Sequence, residues 1–275
     1  MEWSGMSDPA ISVVVASLRS RDELEAAESL SRCEFEDYEL LVRDEAPVTK
    51  ARNEGIKRAS ADKIVFLDDD SRVREGYLSR AADTLEKEMA YAGRTVHPRD
   101  DIFAEQFTGH YSAGDEPRYV DRFWGNNMGV RREVFETVGG WDENIGWGHE
   151  EKELASRVTE EFDIYYDPDL VVDHPYVDSL TDFWRKHYRL ELQAAYCWDK
   201  EGLSDSQKLK RIVARATNPR GYLGRTPAIT VARAGRTIMQ TAGRIVGLVS
   251  FRTGNVAERG GKNGAVPDLA TAKKE

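Results

Sequence analysis

Three short apolar runs open the chain, and stretches with helical spacing separate them. Ile11–Ser17 (ISVVVAS), Tyr38–Arg43 (YELLVR) and Lys63–Leu67 (KIVFL) are rich in Val, Ile and Leu. Such continuous apolar runs predict strands buried on both faces. Helices are predicted over Arg21–Leu30 and Thr49–Ala59. Strands and helices alternating at this length indicate βαβ units and a largely parallel sheet. The polar residues Ser17, Asp44 and Asp68–Asp70 stand just beyond strand ends, where such sheets bind ligands. A helix near Gly76–Lys87 and a strand Ala90–Val96 are predicted next, before an aromatic- and Gly-rich stretch, His97–Phe123. Short helices are expected from Glu133 and near His149, and short strands at Asp163–Tyr166 and Leu170–Val172. From Leu180 the pattern is helical, with breaks near Gly202 and Pro219–Pro227.

Composition narrows the class. The 275 residues are 40% hydrophobic and 32% charged, which excludes a disordered chain. Cys33 and Cys197 are too few for a disulfide scaffold or a thiol-rich zinc site. No apolar run reaches the roughly 18–20 residues of a membrane span. Met1–Ala10 carries Glu2 and Asp8 and no basic segment, so no secretory signal is expected and the expected compartment is the cytoplasm. The net charge of −10 is uneven: from Asp205 onward 14 basic residues face 4 acidic ones, while the preceding body is acidic. An acidic body argues against nucleic acid as a partner, and its acidic, Arg-rich composition is compatible with a salt-rich cytoplasm.

The triplet Asp68-Asp69-Asp70 ends a buried strand, where neighbouring carboxylates repel unless a cation compensates them. A hard divalent cation takes oxygen ligands together with substrate phosphates, and Asp68 and Asp70 can face one site. A phosphatase of the haloacid dehalogenase type also places carboxylates after a strand. Its motif needs Thr or Val where this chain has Arg72.

The run Lys50–Asp70 (KARNEGIKRASADKIVFLDDD) resembles the ARNxGI and FLDxDD blocks of family 2 glycosyltransferases with the GT-A fold. Trp124–Arg132 (WGNNMGVRR), Gly139–Glu143 (GGWDE) and Gly146–Glu151 (GWGHEE) are similar to that family's acceptor-side blocks, in the same order. The likeness covers about residues 11 to 175 and extends to archaeal enzymes that build lipid-linked oligosaccharides. It implies a mainly parallel α/β sheet with helices on both faces, here followed by a helical extension. Residues 1–202 would form the catalytic domain, 203–252 a basic helical extension and 253–275 a disordered tail.

The resemblance implies roles by position. Asp44, or Glu45 beside it, would meet the base of a nucleotide-sugar donor, a UDP-sugar in the first instance. Ser17, Arg52, Asp68 and Asp69 would complete the donor site, with Lys50 nearby. Asp70, Asp68 and His174 would hold Mg²⁺ or Mn²⁺. Glu151 would be the general base, with Glu150 binding the acceptor sugar or exchanging roles with it. Trp124, Asn126, Asn127, Trp141 and Trp147 would line the acceptor pocket, the aromatic rings stacking on sugar faces, although a tryptophan taken singly is more often core. The implied reaction is inverting transfer to a hydroxyl of a lipid-linked or other glycan. The alternatives are first-sugar loading onto a polyprenyl phosphate and a non-catalytic sugar-nucleotide binder. In Pro227–Ser250, Val231, Ala234, Ile238, Ile245 and Leu248 form one stripe and Arg233, Arg236, Gln240 and Arg244 another. That pattern predicts a helix either packed on the domain through Val231, Ile238 and Ile245 or peripheral on an anionic membrane, where the basic residues and the apolar stripe share the contact.

Overall fold

The computed structural model describes residues 8–254, so the expected tail beyond Gly254 lies outside the described residues. The strands are β1 Ile11–Ala16, β2 Tyr38–Arg43, β3 Lys63–Leu67, β4 Arg72–Val73, β5 Ala90–Val96, β6 Arg118–Val120, β7 Asn127–Arg131 and β8 Ile164–Asp173. The first helices are α1 Glu25–Leu30, α2 Val48–Arg58, α3 Tyr77–Lys87, α4 Ala104–Thr108, α5 Arg132–Val138 and α6 Glu150–Val158. After β8 come α7 Leu180–Leu190, α8 Ala194–Lys200, α9 Asp205–Thr217 and α10 Pro227–Arg252.

All eight strands join one mixed sheet in the order β2-β1-β3-β7-β5-β8-β4, with β6 pairing β8. Pairing is parallel in β2-β1-β3 and β5-β8 and antiparallel elsewhere. Side chains alternate between two cores, as the period of two requires. Val14, Ile64 and Phe66 pack with Ile56, Phe135 and Leu154 on one face. Val13, Val15, Val65 and Leu67 pack with Leu30, Leu78 and Leu85 on the other.

Local departures from the sequence reading have local causes. The helix predicted at Arg21–Leu30 is a 3₁₀ turn, Arg21–Glu23, then α1, with Leu24 extended between them. The two strands predicted at 163–172 are one ten-residue strand, β8. Its register against β5 jumps from Gly93↔Asp167 to Arg94↔Val171. Pro168, which has no N–H to give the ladder, lies in that bulge.

The helical extension is docked. Gly243 and Gly247 of α10 lie so close to its neighbours that an added Cβ would stand 2.4 Å from the carbonyls of Tyr188 and Leu192 respectively. The arginine stripe of α10 faces the protein and not outward, against the orientation expected for a lipid-facing stripe. Arg244 donates to both Glu191 oxygens at 2.8 and 2.9 Å, and Arg233 reaches Gln106 at 2.9 Å. The outward face is apolar instead: Val231, Ile238 and Ile245 are 52, 57 and 49% exposed. Leu248 departs from that stripe and is buried with Trp198 and Ile212. Among the described residues no helix is long and apolar enough to cross a membrane.

Candidate active site

The end of β3 carries the acidic triplet to the carboxyl edge of the sheet, and β8 brings His174 beside it. His174 Nε2 lies 3.0 Å from Asp70 Oδ1 and 3.5 Å from Asp68 Oδ2. One ligand atom from each residue lies within 4.8 Å of the others. Two carboxylate oxygens and an imidazole nitrogen converging this closely suit a divalent cation. Without one, the histidine serves as the counter-charge. Burial disfavours the His174 cation, yet the hydrogen bonds it donates to both carboxylates raise its pKa to about 9. Desolvation raises Asp68, and the His174 hydrogen bond and charge outweigh it, lowering its pKa to about 2. Asp69 points elsewhere, accepting from the Ser17 hydroxyl at 2.7 Å.

Ser17, Arg19, Asp44, Glu45 and Asp69 line a cavity of about 380 Å³ beyond β1 and β2. Asp44 is exposed there, while Glu45 is paired with Arg43. Lys50 is exposed and does not line this cavity. A second cleft of about 470 Å³ shares Ala16, Val48 and Asp69 with the first. It holds Asp68, Asp70, His174, Glu150 and Glu151 together with Trp124, Trp147 and Lys186. A more open hollow of about 610 Å³, bordered by Asp121 and Arg122, shares Trp124 with this cleft and contains none of Asp68, Asp70, Glu150, Glu151 and His174.

Arg52 lies under the cleft floor, 4% exposed and stacked 4.6 Å from the Trp141 ring centre. Its guanidinium links Asp68 at 3.4 Å to Glu150 at 3.5 Å. The next residue, Asn53, clamps the GGWDE loop by donating to the Trp141 carbonyl at 2.9 Å and accepting from its N–H at 2.8 Å. The block therefore holds the acceptor-side loop against α2.

Glu150 and Glu151 open α6 after His149, whose φ of 69° is left-handed. Glu150 is 4% exposed, and Oε2 has no partner. Desolvation, then the neighbouring Glu151 charge, raise its pKa to about 8 despite Arg52. Glu151 is half-buried and reaches over Gly125. A Cβ at Gly125 would stand 2.6 Å from Glu151 Oε1 and 2.8 Å from Arg52 Nη2, so the glycine makes room for both.

Of the expected acceptor residues, Trp124 and Trp147 line the cleft, and Asn126 and Asn127 do not. Asn127 is spent inside the sheet: its amide donates to the Arg94 and Leu170 carbonyls at 2.9 and 2.8 Å and accepts from Tyr77. Asn126 is 2% exposed and accepts from Thr95. Trp141, also a candidate for the acceptor pocket, is fully buried core and does not line the cleft. The sequence reading did not single out His110, Tyr176, Lys186 and His187, which also line the cleft, and placed Gln240 only in the arginine stripe of the extension. For Lys186 and His187 the one signal is the mixed aromatic and basic run FWRKHY in α7.

Residues 9–139 match the family described as Glycosyl transferase family 2. A glucosyl-dolichyl phosphate glucuronosyltransferase of Haloferax volcanii is 26% identical over 126 residues, 41% of this chain and 40% of that protein. The match thus spans about two fifths of the length of this curated relative. A mannosyltransferase of Pyrobaculum calidifontis, solved with GDP-Man and Mn²⁺, has a TM-score of 0.51 at 15% identity over 94% of this chain and 79% of its own. GalNAc-T7, solved with UDP, GalNAc and Mn²⁺, has a TM-score of 0.50 at 11% identity over 93% and 59%. The fold is GT-A, as expected.

Proposed function

Because the chain belongs to glycosyl transferase family 2, we propose that it moves a sugar from a nucleotide sugar to a hydroxyl of a lipid-linked glycan, with inversion. The observation that carries this reading is that the Asp68/Asp70/His174 cluster and the Glu150–Glu151 pair face one cleft. The donor's nucleoside lies against Asp44, Ser17 and Asp69, and its diphosphate spans toward Asp70. Asp68, Asp70 and His174 would hold the divalent cation, and the imidazole ligand favours Mn²⁺ over Mg²⁺. When bound, it supplies charge neutralisation for the departing nucleoside diphosphate. Glu151, the more accessible carboxylate, takes the proton of the acceptor hydroxyl as that oxygen attacks the anomeric carbon. Arg52 fixes Asp68 and Glu150 relative to one another, a positioning role. The acceptor class is drawn from the relative that acts on a glucosyl-dolichyl phosphate.

Approach to a lipid-borne acceptor is served by the outward apolar face of α10, with exposed Lys210, Arg220 and Arg225 nearby in sequence. Such a face can lie in a bilayer interface while basic residues meet anionic headgroups.

The test is product analysis with a panel of nucleotide sugars, Mn²⁺ and either a glycosylated or a bare short-chain polyprenyl phosphate. The expected product is the glycosylated lipid extended by one inverted sugar. Transfer to the bare lipid alone would assign first-sugar loading instead, and no transfer or donor cleavage with any donor would leave only a binding protein.

A further inference from the structure

The helical end of the cleft is built from hydrogen-bond donors that meet no acceptor. Arg215 of α9 donates to Gln240 Oε1 of α10. That bond turns the Gln240 amide nitrogen toward His187 Nδ1, 3.3 Å away. Nδ1 is therefore an acceptor, and the proton of the neutral ring sits on Nε2. Burial, then the Arg236 charge, hold His187 neutral, with a pKa lowered to about 3. His187 Nε2 is buried with no partner, as are Tyr176 Oη and the Nε atoms of Arg215 and Arg236. Tyr176 and His187 are 4 and 8% exposed.

The four residues lie near one another, Tyr176 and His187 lining the cleft and Arg215 and Arg236 standing behind it. Arg236 acts electrostatically on Tyr176, on His187 and on Arg215. Tyr176, His187 and Gln240 also line the cleft that holds Glu151, and the Glu151 charge reaches Tyr176. Among the described residues neither Arg215 nor Arg236 forms an ion pair, although Glu191 nearby is taken by Arg244. Buried donors without acceptors are costly, and two guanidinium groups repel one another in the same space. An oxyanion relieves both costs. The phosphodiester of a lipid-linked sugar brings two charged non-bridging oxygens and two ester oxygens, against two oxygens in all for a carboxylate, so four donors match the former better.

We propose that Arg215, Arg236, Tyr176 and His187 form a binding site for the phosphoryl group of the acceptor, next to the base that activates its hydroxyl. Naming the phosphate as the acceptor's rests on the glycosyl-transfer reading above; the anion site itself rests on the four donors. The helix that turns its apolar face outward thus turns its cations toward the headgroup it would serve.

The experiment is calorimetric titration of the full chain, stripped of divalent cations, with farnesyl phosphate, inorganic phosphate and glucuronate. Farnesyl phosphate should bind most tightly. Arg236→Gln and Tyr176→Phe should each weaken it by about tenfold or more, the loss of one charge-assisted or buried bond. Arg236→Lys should restore most of the affinity; should Arg236→Gln fail to fold, Arg236→Lys and Tyr176→Phe carry the test. Inorganic phosphate binding as tightly as farnesyl phosphate would overturn the acceptor assignment, and glucuronate binding most tightly would overturn the choice of phosphate. No phosphate binding by a protein that still takes up UDP with Mn²⁺ would overturn the site and leave glycosyl transfer standing. Phosphate binding without any nucleotide binding would overturn glycosyl transfer, and with it the acceptor assignment.

Discussion

At the strand-end side of the cleft, carboxylates crowd around a single histidine. At the helical side, Arg215 and His187 lie near Glu191 with Arg236 beside them, while Lys186 faces Asp68, Asp70 and Glu151 across the cleft. The two sides arise from different packing rules. β3 ends at Leu67 and delivers the triplet into a turn closed by the Ser71 N–H on the Asp68 carbonyl, where Asp68 and Asp70 meet His174 and Asp69 meets Ser17. A helix can turn either stripe inward, and α10 turned its arginines in because Gly243 and Gly247 let that side approach α7. The sides are also wired together: Arg244 of α10 holds Glu191, and Glu191 lies 3.5 Å from His149, which precedes the glutamate pair.

The largest effect is expected on the base. Glu151→Gln should lower turnover by roughly 10²–10⁴ while donor affinity changes little. If Glu150→Gln is the slower enzyme in steady-state kinetics, the roles of the two glutamates are exchanged.

Gly125→Ala comes next. The added methyl meets the flexible ends of Glu151 and Arg52, so the fold should survive while the base is displaced. A shift near 1 Å can cost about 10²-fold in turnover. Kinetics together with a melting curve separate this from a packing defect, which would lower both.

A pH series sharpens the contrast between the buried and the accessible glutamate. The folded-state pKa of Glu150 is raised to about 8, above the ordinary 4.5. Such a group holds its proton more tightly when folded, so the penalty of ionising it grows as pH rises from about 5 to about 8. Glu150→Gln removes that penalty. The variant should melt on the order of 5 °C higher than wild type at pH 8 and near wild type at pH 5. A difference that stays flat with pH refutes the assignment.

The smallest effect concerns the outward stripe. Ile238→Glu and Ile245→Glu should each reduce sedimentation with phosphatidylglycerol vesicles by about fivefold, roughly 1 kcal/mol for a partly inserted aliphatic chain. Melting should not change, because both side chains are about half exposed. Unchanged vesicle binding would show that α10 does not meet lipid.

Legibility followed the same divide. The βαβ half and the triplet at the end of β3 were readable because periodicity and order along the chain carry them, while the glutamates opening α6 and the place of His174 came from the resemblance to the family's ordered blocks. Asn127 was not, because its block fixes its place in sequence but not the side of the sheet it faces; it faces inward to bond Leu170 and Arg94. Arg52 sits on α2 as expected, but its stacking on Trp141 depends on a distant loop, held by Asn53 from 88 residues away. Tyr176, Lys186, His187 and Gln240 converge only through the packing of α7 against α10, which no local pattern encodes.

The measurement closest to the central claim is calorimetric titration of UDP and GDP into wild type and Asp70→Asn, with and without Mn²⁺. The account predicts that one nucleotide binds the wild type tightly only with Mn²⁺, and that Asp70→Asn abolishes the metal-dependent part with its melting temperature preserved. Metal-dependent binding left intact in Asp70→Asn would contradict the Asp68/Asp70/His174 cluster as the cation site.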